Sequence, residues 1–324
     1  PPNHCILVAA PHRFRFSVSD NTNGNVLALI NSLTDSQGRC FALIPPLQTP
    51  KTHRQLKATI YIYAKDRLDR SESTILQLAP DITHADVIIR RSNLYHHARV
   101  FLQSNGKGAI IHQCLEQSRL NSRYDAVMLA NLHPDVPVDR HIMWRRNRMW
   151  IVYRARLQEA KDDHIDDFHL ADDGGGVWNY RIPVGNGHFV SITMKMKIIE
   201  GFNAVRVTFH RNPAIPGSRL DIPDEASVRV IFRPDIEDRN FHTETKASGG
   251  PERDWPSKLH ENAKGFVFEP AKSRALVMHT SLGAFVRDEE WSYMIYQPNE
   301  AARGLDPNSD LYSPGYFRFS ITGD

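Results

Sequence analysis

Apolar and polar residues alternate along many short segments of the chain. In segment 13–18, Phe14, Phe16 and Val18 share one face, while the two arginines and Ser17 share the other. A strand with one buried face requires this period of two. The same pattern recurs in segments 58–65, 190–199, 203–210, 227–234, 265–270 and 316–321. The pattern therefore predicts a mainly β, antiparallel protein.

Glycine, asparagine and proline separate these segments, as in 21–25, 185–187 and 212–217. Such residues favour tight turns, and short connections of this kind build sandwiches rather than βαβ units. A mixed-period run at 110–133 breaks the pattern, and we interpret it as a minor helical connector. The sequence thus predicts one large antiparallel β-sandwich domain over 1–324, with strands grouped at 1–108 and 138–324.

Composition and charge narrow the possible partners. The chain has 324 residues, 41% of them apolar, and a net charge of +3 that arises from interspersed acidic and basic residues. A nucleic-acid partner is disfavoured, because phosphate-tracking surfaces need clustered Lys and Arg. No apolar run has the length of a membrane span. The three cysteines suggest neither a disulfide framework nor a metal knuckle, so a reducing, cytoplasmic location is expected.

Motifs for a metal, a cofactor or a covalent nucleophile are not evident. None of the 16 histidines stands in an HExxH motif or a similar pair, and no GxSxG elbow occurs. The stretch "SNGKGAI" at 104–110 lacks the spacing of a phosphate-binding loop, so a turn is the simpler interpretation. The sequence predicts no metal site and no cofactor.

The stretch "RPDIEDRNFH" at 233–242 is the first candidate site. Pro234 should end the preceding strand, so the side chains that follow are expected at the rim of a sheet. Glycoside hydrolysis needs two carboxyl groups roughly 5–10 Å apart, one of them protonated. The alternative is a loop whose charged groups cap its own backbone and one another. The candidate residues are Asp235, Glu237, Asp238, Arg239 and His242.

The second candidate is the aromatic and charged segment 289–317. Aromatic rings stack on the apolar faces of sugars while polar groups bind the hydroxyls, but the same composition is typical of interdomain interfaces. If the segment faces a partner, Trp291 and Tyr312 are expected among its exposed rings. The candidate residues are Trp291, Tyr293, Glu300, Arg303, Asp306 and Tyr312, together with Trp255.

Several long stretches resemble one protein family. "RPDIEDRNFHTETKA", "GPERDWP" and "EEWSYMIYQPNEAARGLDPNSDLYSPGYF", with the earlier "IPPLQTPKTHRQLKATIYIY" and "YDAVMLANLHPDVPVDRHIMW", resemble the N-terminal region of bacterial glycogen debranching enzymes of the amylo-α-1,6-glucosidase type. The resemblance implies a β super-sandwich that precedes a catalytic (α/α)6 barrel, expected downstream of residue 324. It also implies that the family's catalytic carboxylates lie on that barrel, so no catalytic residue is assigned to this chain.

The leading hypothesis is a non-catalytic domain that docks on the barrel of the same polypeptide and helps to bind α-glucan. In that case the candidate residues orient or contact a partner and do not cleave bonds. Two alternatives remain open. One is a free-standing carbohydrate-active enzyme that uses the acidic stretch 235–242, and the other is a protein-interaction module without sugar affinity.

Overall fold

The computed structural model describes residues 4–48, 50–65, 67–79, 87–94, 99–133, 135–136 and 138–323. Strands make up 58% of the structure and helices 8%, which confirms the predicted mainly β fold. Each of the alternating segments overlaps a strand. The chain divides into two compact units, Pro1–Ala85 and Asp86–Asp324.

The first unit is a small sandwich of two antiparallel sheets. Among its described residues, one sheet has the strand order β1-β5-β4 and the other has the order β3-β2-β6-β7. Phe14, Phe16, Ala42, Ile44 and Leu56 meet between the sheets and form a core of their own. The strands are β1 Ile6–Ala10, β2 Phe14–Asp20, β3 Val26–Asn31, β4 Leu33–Thr34, β5 Cys40–Ile44, β6 Arg54–Ala64 and β7 Arg67–Gln77.

The second unit is a larger sandwich. Its eight-stranded sheet has the order β22-β23-β18-β12-β11-β10-β9, with β13 paired to β12, and its other sheets have the orders β17-β16-β15-β14-β8 and β19-β20-β21. The strands are β8 Ile88–Arg90, β9 Val100–Ser104, β10 Ile110–Cys114, β11 Ala126–Asn131, β12 Arg140–Tyr153, β13 Arg156–Glu159, β14 Ile165–Leu170, β15 Gly176–Gly185, β16 His188–Ile198, β17 Val205–Arg211, β18 Val228–Asn240, β19 Leu259–Asn262, β20 Gly265–Ala271, β21 Arg274–His279, β22 Ala284–Tyr296 and β23 Asn308–Ile321.

Helices are short and lie between the strands. The described α-helices are α1 Arg91–Leu94, α2 Pro251–Asp254 and α3 Pro298–Ala302, and 3-10 turns occur at Asp162–His164, Ala247–Gly249 and Trp255–Lys258. The part of the chain that the structure describes contains no helix with the length and apolarity needed to span a membrane.

The main core of the second unit lies between its sheets. Met149 and Ile151 of β12 pack in the same cluster as Trp178 of β15 and Ile192 of β16, and Phe268 of β20 extends that cluster. The Trp178 side chain is fully buried, and its indole N–H donates to the Leu115 carbonyl at 3.0 Å. This core therefore joins strands of all three sheets of the second unit.

The helical connector predicted at 110–133 is wrong, because this segment contains strands β10 and β11. All six residues of β11 are buried, so this strand shows no alternation of apolar and polar positions. A continuous apolar run of that kind cannot be distinguished from a buried helix by its periodicity. The boundary between the two units falls between residues 85 and 86.

Candidate functional site

The acidic stretch 233–242 lies mostly inside strand β18, so the predicted rim loop is wrong. Strand β18 runs to Asn240 and lies between β12 and β23. Pro234 does not end the strand. The pairing of β18 with β23 is irregular between Phe232 and Ile236, the segment that contains this proline. The missing N–H of the proline falls at that irregularity, where a strand tolerates it. The side chains of the stretch are therefore held by two neighbouring strands.

Asp235 is fully buried and accepts hydrogen bonds from two arginines of β12. Its carboxylate receives the Arg146 Nε–H at 2.7 Å and an Arg148 N–H at 2.7 Å. Arg148 reaches further to Glu290 of β22 at 2.9 Å. Charged hydrogen bonds of this length are among the strongest in proteins, so Asp235 cross-links β18 to β12.

Glu237 lies in a second buried charge cluster. Its carboxylate is 3.3 Å from the Arg145 Nε and 2.9 Å from the Arg239 Nε, and neither Glu237 nor Arg145 is exposed. The Arg145 guanidinium also donates to the carbonyls of Ser122 and Arg123 at 2.8 Å. The loop that follows β10 thus covers the pair and shields it from solvent.

Asp238 and Glu300 also bind hydrogen-bond donors from other segments of the chain. Asp238 is 2.6 Å from both the His141 Nε2 and the Arg274 Nε. Glu300 of α3 accepts the Ser122 hydroxyl and the Arg123 backbone N–H, each at 2.8 Å. These two carboxylates connect separate segments of the second unit.

The protonation states of these carboxyl groups argue against acid/base catalysis by the acidic stretch. Burial raises the pKa of Glu237, but the charges of Arg239 and Arg145 outweigh it and leave the pKa below the usual 4.5. Burial also raises the pKa of Asp238, but hydrogen bonds from Arg274 and His141 leave it below the usual 3.8. A general acid needs a raised pKa, so neither group suits the proton donor of a glycosidase.

Three other predicted residues lie near the surface. His242 is exposed and its Nδ1 lies 3.3 Å from the Tyr124 hydroxyl, while Arg303 contacts Glu300 at 3.2 Å. Asp306 forms an ion pair with Lys246 at 2.9 Å. These side chains are spread along the surface and do not converge on one reacting position.

The predicted aromatic residues form a stack that runs from the core to the surface. Trp255 is 7% exposed, and its ring stacks on the half-buried Trp291 at 5.4 Å between centroids. Trp291 in turn stacks on Tyr293 at 6.4 Å, and Tyr293 is 54% exposed. Tyr312 was expected to be an exposed ring, which is wrong. It is fully buried because its strand, β23, lies between β22 and β18 and the ring faces Trp255.

A cleft of about 440 Å³ is lined by residues 247–250, 252 and 253. The Tyr293 hydroxyl donates to the carboxylate of Glu252, one of the lining residues. The Asp310 carboxylate accepts the backbone N–H of Ala247 and that of Met294, both at 2.8 Å. One acidic side chain thus connects the lining segment to the strand that carries Tyr293.

The sequence did not single out Glu252 or the cleft. Glu252 and Tyr293 are separated by 41 residues, and their contact depends on how the segment after β18 folds back on β22. The stretch "GPERDWP" contributed to the family resemblance, but that resemblance gave Glu252 no role. The alternation of apolar and polar residues carries no information about this tertiary contact, so it could not be predicted from the sequence pattern.

A second surface lies on the eight-stranded sheet, and we call it the Arg233 surface. Arg148 lies over the Trp150 ring at 5.7 Å and Arg233 lies over the Tyr316 ring at 5.4 Å. Trp150 is directly opposite Ile231 in the strand register. The surface consists of the buried Arg233 and, around it, the partly exposed Arg148, Trp150, Ile231 and Tyr316 and the exposed Glu290.

Comparison with known proteins agrees with the resemblance seen in the sequence. A family model described as "Glycogen debranching enzyme N terminal" matches residues 99–324, which include both surfaces and all the candidate residues. No curated protein matches the chain. The whole of the first unit lies before the matched residues.

Proposed function

Because the chain belongs to the glycogen debranching enzyme N-terminal family, we propose that it is a non-catalytic domain that associates with the catalytic domain of that enzyme and helps to hold α-glucan. The observation that carries this proposal is the pairing of the fully buried Glu237 and the largely buried Asp238 with arginines. Both groups are held in the ionised form, which suits a structural role and not proton donation.

The Arg233 surface is the proposed contact with the catalytic domain. It combines half-buried aromatic and aliphatic side chains with arginines, and tryptophan, tyrosine and arginine are the residues that concentrate binding energy at interfaces. Arg233 lies 3.4 Å from Glu290, and Arg148 lies 2.9 Å from the same carboxylate. These ion pairs fix the side chains before binding, which lowers the conformational entropy lost on association.

A role in holding glucan follows from the exposed end of the aromatic stack. Tyr293 presents a ring to solvent beside the carboxylate of Glu252, which is the combination of apolar and polar groups that a sugar needs. The three cysteines are free, in keeping with the reducing cytoplasm in which we propose that the protein works.

Association can be measured by titrating the separately expressed catalytic domain of the same polypeptide into this chain. Trp150→Ala should weaken binding about 30-fold, which corresponds to about 2 kcal/mol for an aromatic anchor. Tyr63→Ala is the control, because Tyr63 is an exposed tyrosine of the first unit and lies outside the matched residues. Wild-type chain that does not associate, or Trp150→Ala that binds as tightly as wild type, would overturn this part of the proposal.

A further inference from the structure

The cleft beside Tyr293 is open to solvent, has a polar lining, and has the volume of a small-molecule site. Its volume of about 440 Å³ falls within the range of roughly 300–1,000 Å³ for ligand sites in proteins. Ser248, Glu252 and Arg253 line it and provide a hydroxyl, a carboxylate and a guanidinium group. These groups can donate to and accept from the hydroxyls of a neutral polar ligand.

Hydrogen bonds hold the segment that lines the cleft against the strand that carries Tyr293. Met294 has a φ of 53°, a left-handed conformation that costs an ordinary residue about 1–2 kcal/mol. The Asp310 carboxylate accepts the Met294 N–H and the Ala247 N–H, and the Asp310 N–H donates to the Thr245 carbonyl at 2.9 Å. Backbone strain that the surrounding structure maintains is a feature of binding sites, because it fixes side chains in advance.

Tyr293 supplies an aromatic platform at the edge of the cleft. Its ring is 54% exposed and is supported from behind by Trp291, which rests on the buried Trp255. The Tyr293 hydroxyl donates to Glu252, so the plane of the ring is fixed by contacts at its face and at its tip. A rigid ring of this kind loses little entropy when a ligand stacks on it.

We propose that this cleft binds a segment of linear α-1,4-glucan, with a glucose ring stacked on Tyr293 and its hydroxyls bonded to Glu252 and Arg253. The inference rests on the proposed function, since the family identifies glycogen as the polysaccharide concerned. A free carboxylate oxygen of Glu252 accepts from a sugar hydroxyl, while Arg253 donates to an oxygen of the same or the next glucose unit. Stacking on Tyr293 contributes most to the affinity because it removes apolar surface from water.

Calorimetric titration of the 324-residue chain with maltoheptaose tests this site. Tyr293→Ala should weaken the affinity at least tenfold, and Tyr293→Phe should stay within about threefold of wild type because the ring remains. Tyr296→Ala is the matched control, since Tyr296 is a comparably exposed tyrosine of the same strand. It should bind like wild type, and cellohexaose, which has β-linkages, should bind much more weakly than maltoheptaose.

Filling the cleft provides an independent variant. Gly249 lines the cleft and a Cβ added there meets no atom within 4 Å, so the backbone accepts a side chain at this position and Gly249→Leu should narrow the cleft. This variant should keep the wild-type melting temperature and lose at least tenfold in affinity for maltoheptaose. The melting temperatures of all the variants establish that each one is folded.

The binding results distinguish failure of the cleft proposal from failure of glucan binding by the whole domain. If wild type binds maltoheptaose while Tyr293→Ala and Gly249→Leu bind equally well, the cleft proposal is overturned and glucan binding by the domain stands. If wild-type chain does not bind maltoheptaose, glucan binding is overturned as well, and the interaction module without sugar affinity is favoured.

Discussion

Glu237 and Arg145 form an ion pair in which neither residue is exposed. Removing a charge from water costs several kcal/mol, and the partner charge and the surrounding carbonyls compensate for that cost. The negative charge of Glu237 therefore depends on Arg145 and Arg239, and their positive charges depend on it. This mutual dependence makes the cluster sensitive to the loss of one member.

Glu237→Gln should lower the free energy of unfolding by about 3–5 kcal/mol, because it leaves two buried guanidinium groups without their counter-ion. Urea denaturation monitored by tryptophan fluorescence measures this change. Glu290→Gln is the control, since the Glu290 side chain is 43% exposed and its ion pairs are accessible to solvent. Glu290→Gln should lower the free energy of unfolding by less than about 1 kcal/mol. Equal losses for the two variants would show that Glu237 is not a buried structural charge.

Stability should fall in acid because the buried carboxyl groups have lowered pKa values. A carboxyl whose folded pKa is below its unfolded value stabilises the fold above the unfolded pKa, and this contribution disappears as the pH falls through the folded pKa. For Asp238 the usual value is 3.8 and the folded pKa is lower. The difference in unfolding free energy between wild type and Asp238→Asn should therefore be constant near pH 6 and decrease below about pH 4. A difference that grew in acid would contradict the assigned direction.

Alternation identifies the strands that have one buried face, and it misses those that do not. In β2, Phe14, Phe16 and Val18 are buried while Arg15 is exposed, as the pattern predicts. β11 is buried on both sides, and the second half of β18 buries charges, so neither follows the simple rule. The charged half of β18 could not be predicted because its partners in β12 lie about 90 residues earlier in the chain.

The pairing of β22 with β23 depends on a glycine. Gly315 has a φ of 148°, and a Cβ at this position would lie 2.1 Å from the Val286 carbonyl oxygen. Gly315→Ala should therefore displace the edge strand β22 and lower the melting temperature strongly. Gly304→Ala is the matched control, because Gly304 also has a positive φ, 72°, but a Cβ there meets no atom within 4 Å.

Gly304→Ala should lower the free energy of unfolding by only about 1–2 kcal/mol, which is the cost of a positive φ for a residue with a side chain. Differential scanning calorimetry compares the two variants. Similar melting temperatures for them would mean that backbone conformation, and not the close contact with Val286, sets the requirement for glycine at position 315.

The chain as a whole consists of two units, each with a hydrophobic core of its own. The family match begins at residue 99, so it covers most of the second unit. The sequence pattern gave the strand content of both units, but it did not give the boundary. Segments 58–65 and 190–199 look alike as strands, and only their tertiary contacts assign them to different cores.

Residues 86–324 should fold when expressed without the first unit, because their core is made by their own strands. Folding of the fragment is measured by far-ultraviolet circular dichroism and by a cooperative melting curve. The fragment should also retain the maltoheptaose affinity of the whole chain, since every residue of the proposed cleft lies within it. A fragment without a cooperative transition would show that the second unit requires the first.

We propose that this protein contributes binding and assembly to glycogen debranching and does not itself cleave glycosidic bonds. Glucose release from a branched limit dextrin by the purified chain tests it most directly. Because Glu237 and Asp238 are paired with arginines and have lowered pKa values, the acidic stretch should supply no proton donor, and we expect no glucose above a buffer blank. Release of glucose that co-elutes with the folded chain in gel filtration would contradict the account and reinstate the enzyme alternative.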